Sequence, residues 1–196
     1  MKKIIALALM LLMLSSALAE GSLIVYFSHA GENYNVGVIE EGNTAKMAKT
    51  IAALTGAELF ELQPVEAYPS EYEAALEVAT AEQQANARPE YAGEAQAWEQ
   101  CDTVFIGYPI WWGHIPNIVY TFMERYDFAG KTVVPFNTHE GSGQARTQQE
   151  IEQLLDSATV LQGLALTGST AQNDETATVQ AVSKWLSTIG IDHTEG

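Results

Sequence analysis

Cysteine is almost missing from this chain: Cys101 stands alone among 196 residues. One thiol forms no internal disulfide, and it does not suffice for an iron–sulfur cluster, which takes several thiolates. Positive charge is scarce as well. Nine Lys and Arg face 25 Asp and Glu, for a net charge of −16. That balance argues against a nucleic-acid partner and against binding to an anionic membrane surface. The four histidines, at 29, 114, 139 and 193, show no H-x-x-x-H spacing, so a zinc helix of that type is excluded, and no metal cluster or catalytic triad is legible. Internal repeats, low-complexity tracts and a linker long enough to separate a pair of domains are also missing, which leaves one domain of ordinary size. The uninterrupted apolar run Ile4–Leu14 is too short for a membrane span, which needs ~20 residues.

What that run does suit is export. Lys2 and Lys3 give a basic start, the apolar run follows, and Ala17-Leu18-Ala19 supplies small residues where a signal peptidase reads them. Cleavage after Ala19 is expected, leaving residues 20–196 as the mature domain in the periplasm or outside the cell. Removal of both lysines leaves seven of the nine basic residues and takes the net charge from −16 to −18. No membrane association is expected after cleavage. The acidic surface suits a basic protein partner, and it also serves plain solubility.

Apolar periodicity orders the rest. Leu23–Phe27 reads as a buried strand, and Thr44–Leu54 as a helix with Met47, Ile51 and Leu54 on one face. Glu58–Gln63 alternates as a second strand. Ser70–Ala85 reads as a helix opened by a Ser70–Glu73 capping box, and residues 86–100 as helix end and loop. Thr103–Ile106 and Thr132–Phe136 are short apolar strands, with a helix opened by Pro116 between them. Ile151, Leu154 and Leu155 mark another helix. Thr159–Leu161 with Leu164–Leu166 makes the last strand, and Val179, Val182 and Leu186 mark the closing helix. Strands alternating with helices predict an α/β fold with a five-stranded parallel sheet covered on both faces. Ligands of such sheets bind beyond the carboxyl ends of the strands.

Three loops should meet there. The first, Ser28–Asn43, ends in "GNTA" at a helix start, where Asn43 is the expected N-cap and the N–H groups of Thr44 and Ala45 suit an anion. Gly37, Gly42, Asn43 and Thr44 nearly follow the nucleotide-triphosphate loop, but Asn43 stands in place of its lysine and Glu40 and Glu41 repel phosphates. No G-x-G-x-x-G follows the first strand, which disfavours a Rossmann dinucleotide site. The second loop, "GYPIWWG", carries two adjacent tryptophans, and the third, "NTHEGSGQA", has glycines that admit a flat ligand close to the backbone. Aromatic walls, an amide-rich loop and an anion cup together suit a planar heteroaromatic ring with a phosphorylated tail.

These segments resemble the flavodoxin-like family of bacteria: "YFS…GNTAKMAKTIA", "GYPIWWG" and "PFNTHEGSG" occur in order, over about residues 22–191. The resemblance implies a doubly wound sheet of strand order 2-1-3-4-5, FMN as cofactor, and one-electron or hydride chemistry. It implies that Ser28, Asn43, Thr44 and Ala45 hold the phosphate. Pro109, Ile110, Trp111, Trp112 and Gly113 would line one side of the isoalloxazine, and Thr138, His139, Gly141, Ser142 and Gly143 the other. One departure stands out: fourteen residues, 29–42, separate Ser28 from Asn43, where ordinary flavodoxins join the two almost directly. Gly31-Glu32-Asn33 partly repeats the motif early, and Tyr34 on this excursion is placed to stack near the ring.

Three functions fit: an exported electron carrier exchanging with a redox protein or a small acceptor, an FMN-dependent NAD(P)H quinone reductase, and an exported binding module of the same fold that uses no flavin. The flavin would carry the electrons and the chain the position and electrostatics. His139 is the one histidine in a predicted ring-contacting loop. The carrier is favoured, because it needs no nicotinamide site and no such motif is present.

Overall fold

A computed structural model describes residues 21–194. The predicted leader, residues 1–19, lies outside them. Five lanes of parallel strands form the centre. β1 (Ser22–Tyr26) is flanked by β4 (Glu58–Glu61) on one side and β7 (Thr103–Pro109) on the other, and β7 pairs with β8 (Thr132–His139). The fifth lane is broken in two. β9 (Thr159–Val160) pairs with the start of β8 and β10 (Leu164–Thr167) with its end, so Leu161–Gly163 interrupts one edge strand. Counted by lane, the order is the expected 2-1-3-4-5.

Two layers of helices cover the sheet. Successive strand residues point to opposite faces: Leu23, Val25 and Phe27 enter one core, Ile24 and Tyr26 the other. The second core packs on α1 (Asn43–Thr55) through Met47, Ala48 and Ile51, and on the closing helix α6 (Glu175–Ile189) through Val182, Trp185 and Leu186. The first core takes α3 (Asn117–Arg125) through Ile118, Val119 and Phe122, and α4 (Thr147–Leu154) through Ile151. α2 (Tyr72–Ala85) lies against α3, burying only Ala75 and Ala79, and a short α5 (Gly168–Asn173) follows β10.

Several local expectations are corrected. No Ser70 side chain caps α2. The helix starts at Tyr72, and the Glu32 carboxylate reaches in from elsewhere to accept from the Tyr72 N–H at 3.1 Å. Asn43 is not the N-cap of α1 but its first residue. Gly42 is the cap, and Ser28 Oγ accepts from the Ala45 N–H at 2.9 Å. Pro116 caps α3 rather than opening it. β7 and β8 each run three residues further than their apolar cores, because Gly107–Pro109 and Asn137–His139 keep the ladder going. Residues 86–100 are not plain loop: Tyr91–Ala92 (β6) pairs with Gln63–Pro64 (β5), and Trp98 is buried.

The excursion after Ser28 is a hairpin, β2 (Gly31–Asn33) and β3 (Gly37–Ile39), antiparallel. It leaves and returns at one point. A Cβ on Gly42 would lie 2.3 Å from Ser28 Oγ and 2.6 Å from the His29 carbonyl oxygen, so only glycine closes the excursion there. The hairpin is fastened to the turn before α2. The Glu32 N–H donates to the Ser70 carbonyl at 2.7 Å, His29 Nε2 meets the Pro69 carbonyl at 2.8 Å, and Tyr34 stacks on Tyr72 with ring centroids 5.9 Å apart. Among the described residues, no helix is long and apolar enough to cross a membrane.

Candidate functional site

At the carboxyl ends of β7 and β8 lies a cleft of about 260 Å³. The GYPIWWG segment forms one side of it, and the reason for two adjacent tryptophans is a tight turn. The Trp111 and His114 backbones bond to each other in both directions, at 3.1 and 2.9 Å, and the two residues between them, Trp112 and Gly113, sit at φ 53° and 78°. Positive φ at both central positions is the mark of a two-residue hairpin turn of type I′. Such a turn sends neighbouring side chains apart. Trp111 turns inward and meets Phe27 at 5.3 Å and Tyr68 at 5.1 Å, both edge-on, while Trp112 stays 59% exposed at the cleft. The Gln83 amide donates to the Trp111 carbonyl, and His114 Nδ1 contacts Glu150 at 3.1 Å, so α2 and α4 both hold the turn.

The opposite side is the end of β8 and the loop after it. Thr138 is buried and its hydroxyl meets that of Thr44 at 2.8 Å, tying β8 to the start of α1. His139 Nδ1 accepts from the Gly141 N–H at 3.0 Å. Burial pushes the His139 imidazole below its ordinary value of 6.5, and Glu140 pulls part of the way back. The Glu140 carboxylate accepts from the Ser169 N–H at 2.6 Å, closing the loop onto α5. The amides of Ser142 and Gly143 make no hydrogen bond among the described residues.

Of the residues expected at the ring, Pro109, Ile110, Trp111, Trp112, Gly113, Thr138, His139 and Ser142 line this one cleft, together with Asn43. Gly141 and Gly143 shape the loop, with φ of 111° and 60°, without lining it. Ser28, Thr44 and Ala45 do not line it either. Thr44 is 1% exposed, and Ser28 and Ala45 face an adjoining groove that also holds Glu40, Glu41 and Glu61. The early copy of the phosphate motif, Gly31–Asn33, is strand β2, and its Glu32 carboxylate is engaged with α2.

Sequence reasoning missed Tyr72, Leu76, Asn33, Glu140 and Gly168 as lining residues. Tyr72 and Leu76 are spaced i and i+4 on one helix face, which was legible. The arrival of that face at the cleft depends on the hairpin and was not.

The residues present fit a flavin. Asn43 is 8% exposed and its Oδ1 has no partner, an acceptor held ready at the inner wall. The first N–H groups of α1, on Asn43 and Thr44, are likewise unbonded among the described residues, where a helix attracts an anion. The next N–H, on Ala45, is already taken by Ser28 Oγ. Aromatic rings at one wall and free amides at the other match a flat ring with carbonyls on its edge.

The chain is similar to known flavoproteins in sequence and fold. A family model described as Flavodoxin matches residues 21–187. A candidate flavoprotein from Bacteroides eggerthii superposes with a TM-score of 0.71 at 28% identity, over 88% of this chain and 99% of that one. A flavoprotein from Lactobacillus acidophilus, solved in complex with FMN, gives 0.61 at 24% identity over 78% and 96%. Oxidised flavodoxin 2 from Bacillus cereus gives 0.52 at 18% over 87% and 97%. No curated protein matches. With the matched family model covering nearly all the described residues and the three loops in place, the chain belongs to the flavodoxin family.

Proposed function

We propose that this protein binds FMN in the cleft and passes electrons through it as a carrier, after export to the periplasm or beyond the cell. The observation that carries the reading is the convergence of the Trp111–Gly113 turn and the His139–Gly143 loop on one cleft at the sheet's carboxyl edge. The L. acidophilus relative holds FMN, which supports FMN among the flavins. On this reading the flavin supplies the electron chemistry. The chain clasps the ring between the two loops, meets its hydroxylated tail with Asn43, and offers the α1 N-terminus to the phosphate.

Charge favours the carrier over a nicotinamide-driven reductase. The adjoining groove carries Glu40, Glu41 and Glu61, with the nearby Lys49 already paired to Glu41, a poor setting for a phosphorylated dinucleotide. A redox protein with a basic face suits the net charge of −18 expected after cleavage.

A visible spectrum of the purified mature chain, with and without added FMN, tests the first step. A flavin band that persists through gel filtration is expected. Its absence after FMN addition would leave the fold as a binding module without flavin. The second step is turnover of NADH or NADPH with a quinone. Negligible turnover alongside fast reduction by a chemical reductant is expected, and saturable turnover lost on stripping FMN would make the protein a reductase.

A further inference from the structure

We propose that His139 is a proton-operated latch on the loop that walls the cleft. The bond that holds the loop's first turn runs from the Gly141 N–H to His139 Nδ1. An imidazole nitrogen accepts only when it carries no hydrogen. The neutral ring must therefore hold its proton on Nε2, which has no hydrogen bond among the described residues, in a side chain that lines the cleft. When the ring takes up a second proton, Nδ1 becomes a donor and faces another donor. The bond to Gly141 is lost, and the first turn keeps its Glu140–Ser169 tie, while the far end of the loop stays anchored by the Ala145 N–H on the Ser142 carbonyl and the Gln144 amide on the Gly163 carbonyl.

The charge environment makes this switch local. Glu140 is the charged group against the ring. From β10 the register neighbour is Thr167, and from β7 the neighbouring residue is Pro109, both uncharged. The other titratable groups lining the cleft, Tyr34 and Tyr72, belong to the hairpin and α2. A ring driven toward its neutral form by burial supports the latch above the ordinary pH 6.5 of a free imidazole and releases it as pH falls below that. Gly141 at φ 111° and Gly143 at φ 60° give the freed segment backbone freedom to move.

Two substitutions separate the latch from mere presence of a side chain. Asn places its Oδ1 near the position of Nδ1 and does not titrate, so His139→Asn keeps the acceptor at every pH. Gln reaches the position of Nε2 instead, so His139→Gln lacks it. The measurement is amide–water exchange at Gly141 by NMR in the flavin-free protein, corrected for the intrinsic pH dependence of exchange. In the parent, exchange should quicken about two- to tenfold as pH drops through the His139 titration, the size set by one ordinary hydrogen bond. It should stay slow in His139→Asn and fast in His139→Gln. Ring nitrogen shifts at pH 8 should report the Nε2–H tautomer. An Nδ1–H tautomer, or a pH step that survives in His139→Asn, would overturn the latch.

A second arm rests on the flavin reading: riboflavin affinity should weaken over the same pH interval in the parent and not in His139→Asn. A protein that binds neither riboflavin nor FMN at any pH would end the flavin reading and leave the exchange data to decide the latch.

Discussion

Trp112 holds an aromatic side chain on a backbone conformation that such residues avoid. At φ 53° a bulky residue carries strain of about 1–3 kcal/mol, of the kind found at functional sites. Asn tolerates this region far better. Trp112→Asn is therefore expected to raise stability by about 1 kcal/mol, a rise of roughly 2–4 °C in Tm for a domain of this size, while weakening flavin binding. A thermal melt and a flavin titration on the same variant check both signs, and a variant that is less stable would show that the indole packs productively without ligand. Ser28 allows a parallel test at the cup. Its hydroxyl already accepts from the Ala45 N–H, and Asp is as good a cap at a helix start. Ser28→Asp should leave α1 intact, repel the phosphate of FMN, and spare riboflavin. Equal losses for both ligands would put the phosphate elsewhere.

The hairpin β2–β3 fills the excursion between Ser28 and Asn43, and its attachment is specific. Glu32 accepts from the first N–H of α2, doing from another element the work expected of Ser70. Glu32→Ala removes that cap, which is worth about 0.5–2 kcal/mol. Denaturant unfolding should show the loss, and hydrogen exchange should place it in the first turn of α2 and in the hairpin. Gly42 closes the excursion where no Cβ fits beside Ser28 Oγ and the His29 carbonyl. Its backbone, at φ −65° and ψ 153°, is ordinary for any residue, so Gly42→Ala acts by overlap alone and should cost about 1–3 kcal/mol. A variant as stable as the parent would mean that the hairpin's return path is loose.

For the molecule as a whole, net charge sets the kind of encounter it favours. A net charge of −16, with few basic residues to offset the carboxylates, has the sign that would steer a basic partner, over distances that salt cuts to about 8–10 Å at physiological strength. Electron exchange between the FMN-loaded protein and a basic redox protein should slow as salt rises. Exchange with a small neutral acceptor should not. Rates with the protein partner that ignore ionic strength would remove charge steering from the account. Intact mass of the exported protein checks the leader: a mature species beginning at Glu20 is expected, and one retaining Met1–Ala19 would end the export proposal.

The order of elements was legible in the sequence, because a buried parallel strand such as Leu23–Phe27 must be apolar throughout and a covering helix such as α1 must show its apolar face at Met47, Ile51 and Leu54. The two loops that wall the cleft were legible as turns for the same local reason: tight turns demand glycine, and Gly113, Gly141 and Gly143 mark them. Strand ends were not, since Asn137 and Thr138 stay in β8 by ladder bonds and tertiary partners that their own composition does not announce. Nor were the caps. Ser28 and Glu32 satisfy N–H groups of helices that begin 15 and 40 residues further on, and no local pattern encodes a partner at such a distance. Which side chains face the cleft was likewise a tertiary matter. The inward Trp111 and outward Trp112 follow from one hairpin turn, and Tyr34 meets Tyr72 only because Gly42 lets the chain come back to Ser28. Periodicity and turn chemistry act between near neighbours and are written in the sequence. Capping across elements, burial of polar groups and the walls of the cleft depend on contacts that exist only after the sheet has brought distant segments together.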